Sequence, residues 1–257
     1  MSIVVNGFNP HLFPGLLDSI FAVTWIVGAM NTMNCFDCAD GVLGGTAGLA
    51  LGYYGFLLVI GNQLSLALLS VSFAGACFGF LIFNFPPAKI FLGDAGSTAL
   101  GALLGALSLV AAANPLHAPL GWVAALPIIL PTADIVLVHA RRYQNGTRNI
   151  RDLLASTGKD HLPHRMQNMG LSPSTTAIFL YIMTAGLCSA AALAGIAAHG
   201  SFMLLFMSLV AFGVTEWKVV LLSRQKCYQT DCLSTEKIET TVKKTGAKSV
   251  VFEEQGK

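Results

Sequence analysis

Seven apolar stretches, each about as long as a helix needs to be to cross a bilayer, dominate this chain. They run 16–33, 43–60, 64–83, 97–113, 120–138, 174–197 and 201–222. Inside hydrocarbon every backbone N–H and C=O must find its partner within the protein, so segments of this kind fold as helices. The 257 residues are 54% hydrophobic and only 11% charged, whereas a soluble domain carries about 25% charged residues. The expectation is an all-α, polytopic membrane helix bundle of about seven spans. A soluble enzyme, a disordered chain and a coiled coil are excluded on the same arithmetic. The net charge of +2 is too small for a nucleic-acid partner.

The few charges set the orientation. Lysine and arginine are missing from 1–15, from the turn at 61–63, from 114–119 and from the turn near His199. They occur at Lys89, in the loop 139–173 (Arg141, Arg142, Arg148, Arg151, Lys159, Arg165), and throughout the tail after Leu222, while Lys218 alone falls within an expected span, near the end where a long side chain can snorkel. Basic residues in alternate loops mark the cytoplasmic side. The N-terminus is therefore expected outside, the C-terminus inside, and the number of spans odd. Residues 1–222 read as the membrane domain and 223–257 as a polar cytoplasmic tail. The first apolar segment has no basic residue before it and no cleavage site after it, so it does not read as a signal peptide. Cys35-x-x-Cys38 and Cys227-x4-Cys232 together have the makings of a four-thiolate zinc site, but nothing in the sequence brings the two segments together.

Three polar clusters fall on the side assigned to the cytoplasm. The first is Asn34-Cys35-Phe36-Asp37-Cys38-Ala39-Asp40-Gly41, two carboxylates and an amide at the end of the first span. Polar groups at this depth are costly and call for a reason; helix capping is the ordinary one. The second cluster runs from Asn84 through Pro86-Pro87 to Phe91-Leu92-Gly93-Asp94-Ala95-Gly96-Ser97. Its prolines end the preceding helix, and Asp94 lands at the start of the next, where the helix dipole favours a carboxylate. A carboxylate there suits Mg²⁺, which prefers oxygen donors and keeps phosphate oxygens in its shell; a simple cap explains it equally well. The third region holds Asp134, Arg141-Arg142 and Lys159-Asp160-His161-Leu162-Pro163-His164-Arg165. Cations and imidazoles grouped in this way suit a diphosphate. An ordinary basic cytoplasmic loop accounts for the arginines, though less well for Asp160 and the histidines.

In this order the clusters resemble the polyprenyl-phosphate N-acetylhexosamine-1-phosphate transferases, the membrane family that includes the undecaprenyl-phosphate GlcNAc-1-phosphate transferases and the phospho-MurNAc-pentapeptide translocases. The family's Asn-x-x-Asp-Gly-x-Asp-Gly segment is matched by Asn34 to Gly41, its Phe-Met-Gly-Asp-x-Gly-Ser segment by Phe91 to Ser97, and its His-x-His-His loop by His161 to Arg165. The Asp160-to-Arg165 loop looks more like that of the GlcNAc-1-phosphate branch. The resemblance implies attack by a lipid phosphate oxygen on the phosphorus attached to the sugar of a UDP-N-acetylhexosamine. UMP leaves, and a polyprenyl-diphospho-sugar forms for cell-envelope glycan synthesis.

The same resemblance implies roles. Asn34 and Asp94 would hold Mg²⁺, with Mn²⁺ an alternative, and Asp37 would act beside them. Asp37, Asp94, His161 and His164 form the implied catalytic set. Asp40 and Phe91 would hold the uracil, Phe91 by stacking, and Arg165 the phosphates or sugar. The implied partners are the UDP-sugar, undecaprenyl phosphate, membrane lipid and a second copy in a homodimer. The implied place is the plasma (inner) membrane, with a cytoplasmic-face site.

The chain departs from the family pattern at three points. Cys38 stands where a glycine follows the aspartate, and Pro163 stands where the middle histidine would be. The adjacent Asp-Asp pair of an earlier cytoplasmic loop has no counterpart, the one adjacent acidic pair being Glu253-Glu254. About four N-terminal spans are accordingly expected to be missing. The alternative to an active transferase is a catalytically incomplete homologue that binds nucleotide sugar or partners a complete enzyme.

Overall fold

The computed structural model describes residues 15–113, 124–146, 148 and 160–196. The expected span 201–222, the tail 223–257 and the second Cys pair lie outside these residues. The described residues form seven α-helices in chain order: α1 Gly15–Phe36, α2 Val42–Ile60, α3 Leu64–Asn84, α4 Gly93–Ala112, α5 Leu126–Gln144, α6 Leu162–Asn168 and α7 Pro173–Ile196. Among them α1, α2, α3, α4 and α7 are long and apolar enough to cross a membrane. The chain is a polytopic integral membrane helix bundle.

Helix α2 sits at the centre, packed against α3, α4 and α7, while α1 lies along α4 and also touches α5. Its Val42, Leu43, Leu51, Tyr54 and Leu58 are all buried. By contrast, α1 and α3 turn large apolar side chains outward, among them Val23, Val27, Leu64, Leu68, Ile82 and Phe83. Such a surface would be a liability in water, but in a bilayer it simply faces lipid, and helix contacts then depend on close packing. Gly101 provides that closeness. A Cβ there would lie 2.6 Å from the Met30 Cα and 2.7 Å from the Ala29 carbonyl oxygen, so only glycine lets α4 run this close to α1. The contact sets the C-terminal end of α1 beside the N-terminal end of α4.

Three boundaries differ from those expected, and each difference bears on the site. Helix α1 continues to Phe36 rather than stopping at 33, which carries Asn34 in its last turn and leaves Asp37 just beyond the helix. Helix α4 begins at Gly93 rather than 97, so Asp94 belongs to its first turn. Helix α5 is displaced from 120–138 to Leu126–Gln144. Pro127 lies in its opening turn, where proline needs no backbone N–H partner. At the other end, Arg141 and Arg142 remain helical because basic side chains suit a helix C-terminus. With Asp134, these arginines make α5 more polar than the other long helices.

Candidate active site

The first cluster turns sharply between α1 and α2. Gly41 has φ +76°, a left-handed conformation that glycine adopts without the Cβ penalty. Its N–H donates to the Asn84 Oδ1 (3.0 Å), and its carbonyl accepts from the Tyr181 hydroxyl (2.6 Å). The Asn84 Nδ2 in turn donates to the Ile90 carbonyl at 2.8 Å. One buried amide therefore joins the first cluster to the second. Asp40 adds another tie, its Oδ2 accepting the Ala88 N–H at 3.0 Å. Between these anchors the chain passes through the cis Pro86–Pro87 bond.

Across this turn Asn34 meets Asp94. The Asn34 Nδ2 donates to the Asp94 Oδ1 at 3.2 Å and to the Ser97 Oγ at 3.0 Å. Ser97 is fully buried, and its hydroxyl also donates to the Gly93 and Asp94 carbonyls, both at 3.2 Å. Asp37 stands close enough for Asp94 to act on it. Burial, and next the negative charge of Asp94, push the Asp37 carboxyl up to about 6. Neither α2 nor α4 has a side-chain cap at its N-terminus. None of Asp37, Asp40 and Asp94 is therefore an N-cap residue, although Asp94 stands in the first turn of α4 where the helix dipole favours a carboxylate.

The Asp37 and Asp94 carboxylates and the Asn34 amide share one neighbourhood, and the oxygens of all three are hard donors. Among the described residues no group of three or more His, Cys, Asp or Glu side chains could hold a metal by itself. A smaller set of one or two carboxylates is what Mg²⁺ commonly takes, its shell being completed by water and substrate phosphates. A dication between Asp37 and Asp94 would also relieve the repulsion that raises Asp37. Burial first, and then the Asp134 and Asp37 carboxylates, push the Cys38 thiol upward, which works against the thiolate that metal binding and thiol chemistry need.

The third region is built on α5. Arg142 grips Asp160 through both carboxylate oxygens, at 2.7 and 2.8 Å. Burial opposes ionisation of Asp160, but the hydrogen bond and charge of Arg142 outweigh it and hold the carboxyl below its ordinary value. Next to it, His161 Nδ1 lies 2.9 Å from the Asp134 Oδ2, and the Leu162 N–H donates to the Asp134 Oδ1 at 2.7 Å. Pro163 occupies the first turn of α6, a position where its fixed φ helps the helix start. His164 is half-buried and Arg165 buried in the same short helix. Phe91, in contrast, is 75% exposed, an open aromatic face on the loop before α4.

The structure brings Asn34 and Asp94 together directly, with Asp37 within electrostatic reach of Asp94 and Cys38 within that of both Asp37 and Asp134. It gives Asp40 a backbone partner in the second cluster. Sequence reasoning quoted Asn84, Ser97 and Asp134 without giving them tasks, and it passed over Tyr181. Each is a polar side chain at or near membrane depth, which was the available signal.

Residues 3–112 match the Glycosyl transferase family 4 profile; the match ends with α4 and takes in the first two clusters but not the third. Curated relatives named phospho-N-acetylmuramoyl-pentapeptide-transferase share substantial identity with the chain. That of Levilactobacillus brevis is 37% identical over 132 residues, covering 51% of this chain and 39% of the relative. That of Streptococcus uberis is 43% identical over 108 residues, covering 42% of this chain and 32% of the relative. That of Bacillus cytotoxicus is 36% identical over 114 residues, covering 41% and 35%. The chain spans about two fifths of the length of the Levilactobacillus relative that it matches.

Proposed function

Since residues 3–112 belong to glycosyl transferase family 4, we propose that the chain transfers an N-acetylhexosamine-1-phosphate from a UDP-sugar to a polyprenyl phosphate, releasing UMP. The observation that carries this reading is the meeting of Asn34, Asp37 and Asp94 at one open point between α1 and α4. Oxygen donors with surplus negative charge are what a divalent ion and a diphosphate together would complete.

In this reading Asp94 and Asn34 hold Mg²⁺, and Asp37 orients it. Mg²⁺ supplies charge neutralisation at the diphosphate as negative charge builds on the leaving UMP. Phe91 offers its exposed ring to the uracil, and Asp40, fixed by the Ala88 N–H, sets the position of the loop that carries Phe91. His161, His164 and Arg165 bind the phosphates or sugar from the α6 side. An apolar groove of about 390 Å³, lined by Gly44, Phe73, Cys77, Phe80, Leu92 and Gly96 among others, supports the lipid side of the reaction. Leu92 and Gly96 flank Asp94 in sequence, so a polyprenyl chain in this groove would have its phosphate near the carboxylates. The same reading places the clusters on the cytoplasmic face of the plasma membrane, with the N-terminus outside, the C-terminus inside and a homodimer through the membrane helices.

The relatives are named for a MurNAc-pentapeptide substrate, whereas the Asp160-to-Arg165 loop as a whole looks more like that of the GlcNAc-1-phosphate branch. Membranes containing the chain are therefore assayed with undecaprenyl phosphate and Mg²⁺ against UDP-GlcNAc and UDP-MurNAc-pentapeptide in parallel. Acceptor-dependent UMP release from UDP-GlcNAc supports the reading. UDP-sugar binding without turnover supports the second reading, a homologue that binds nucleotide sugar without completing the reaction.

A further inference from the structure

Asp134 is a buried acid to which the transferase reading gives no task. Its residue is 0% exposed and His161, its partner, 1% exposed. A carboxylate this deep is unfavourable unless hydrogen bonds satisfy it. Both of its oxygens are engaged, one by the Leu162 N–H at 2.7 Å and the other by His161 Nδ1 at 2.9 Å. Its two partners are adjacent residues, so Asp134 clamps the backbone and the side chain of one short segment at once.

The chemistry of that clamp is specific. A carboxylate only accepts hydrogen bonds, so the facing Nδ1 of His161 carries the hydrogen. The other ring nitrogen is left with the lone pair. His161 Nε2 is buried and has no hydrogen-bond partner among the described residues. Buried polar atoms are nearly always satisfied, and an exception calls for an explanation such as a missing ligand. The dyad also lies beside the first cluster, because the Asp134 carboxylate acts on the Cys38 thiol together with that of Asp37.

We propose that Asp134 is the positioning residue of His161, holding the ring as its Nδ1–H tautomer so that Nε2 is the one ring atom able to exchange a proton with a substrate phosphate. The inference rests on the transferase reading for its substrate, but its geometry stands apart from it. In the exchange, a P–OH of the acceptor monophosphate loses its proton to Nε2 and the oxygen keeps the electron pair for attack. The imidazolium so formed is offset by the Asp134 carboxylate and returns its proton to the oxygen of the departing nucleoside monophosphate. The arrangement gives a buried carboxylate the same task as the one that orients a catalytic histidine in serine hydrolases.

The test is Asp134→Asn, read in two ways on the full chain in membranes. The amide keeps an oxygen for the Leu162 N–H but faces His161 Nδ1 with a donor, which inverts the tautomer. With ¹⁵N-histidine label, and the His161 signals assigned by their loss in His161→Gln, the wild type should show protonated Nδ1 and bare Nε2. The Asn variant should show the reverse. The kcat should fall about 100-fold or more while the KM for UDP-sugar stays within about threefold. A merely structural Asp134 would lower the amount of folded protein and leave the turnover of the remainder intact. A wild-type ring protonated at Nε2, or an Asn variant with wild-type kcat, overturns the proposal. If the wild type turns over no substrate, the transferase reading fails, yet the wild-type spectrum still decides the tautomer.

Discussion

The two halves of the candidate site are built in opposite ways. Around Asn34, Asp37 and Asp94 the polar groups are open. Asp94 is exposed, Asp37 half-buried, and the Asn34 carbonyl oxygen has no hydrogen-bond partner among the described residues. Around Asp134 and His161 the groups are fully buried, and the carboxylate is satisfied by the protein itself. The first half has more negative charge than its own donors offset, and in the proposed reading a divalent cation completes it. The second half is complete except for one ring nitrogen. In the proposed reading the first half is a place for an ion and its phosphates, and the second a fixed group that meets the same phosphates from the other side.

The largest effect should come from forcing the first half apart. Gly101→Leu puts a side chain where the Met30 Cα lies 2.6 Å from a bare Cβ. Overpacking of this kind costs about 1–3 kcal/mol and should separate Asn34 from Asp94. The expected outcome is loss of all measurable Mn²⁺ binding at this site by electron paramagnetic resonance. Unchanged binding would mean that the α1–α4 contact does not set the ion site.

A smaller effect follows from Asp37. With its carboxyl raised to about 6 by burial and by Asp94, it is protonated below that pH and ionised above it. The kcat/KM should therefore rise several-fold as pH goes from about 5 to 7 and then level off. Added Mg²⁺ should move the midpoint downward. A profile without an inflection in this range removes Asp37 from the catalytic set.

The smallest effect belongs to the brace of the second half. Asp160→Asn breaks the bidentate pair with Arg142, whose partner carboxylate is 39% exposed. Exposed and half-exposed ion pairs contribute about 1 kcal/mol or less. A thermal shift of a few degrees is expected, with kcat within about threefold of wild type. A loss as large as that of Asp134→Asn would show that Arg142, not Asp134, holds His161.

The open half was far more legible in the sequence than the closed one. Apolar runs of about 20 residues locate the helices almost by length alone, and Pro86-Pro87 followed by Gly93-Asp94 marks where one ends and another begins. Asn34 and Asp94 stand 60 residues apart, yet both terminate spans on the same face, and this puts them within reach of one another. Nothing comparable marks Asp134 and His161. They are 27 residues apart, one inside a helix and one before a short helix, and their pairing depends on how α5 is rotated. Period and composition do not specify that rotation. The displacement of α5 from its expected bounds has the same origin, since hydropathy places a helix end at charged residues that a helix C-terminus in fact accepts. The Asn84 link from Gly41 to Ile90 was hidden as well, because an asparagine before two prolines reads first as a helix stop.

The account's central claim is that the two halves act on one substrate. The most direct test labels histidine with ¹⁵N, adds Mn²⁺ and UDP-GlcNAc to the full chain in membranes, and follows the His161 ring signals. The account predicts that Mn²⁺ held at Asp94 broadens these signals in the wild type and leaves them sharp in Asp94→Asn. Sharp His161 signals in a wild-type sample that demonstrably binds Mn²⁺ through Asp94 would contradict it.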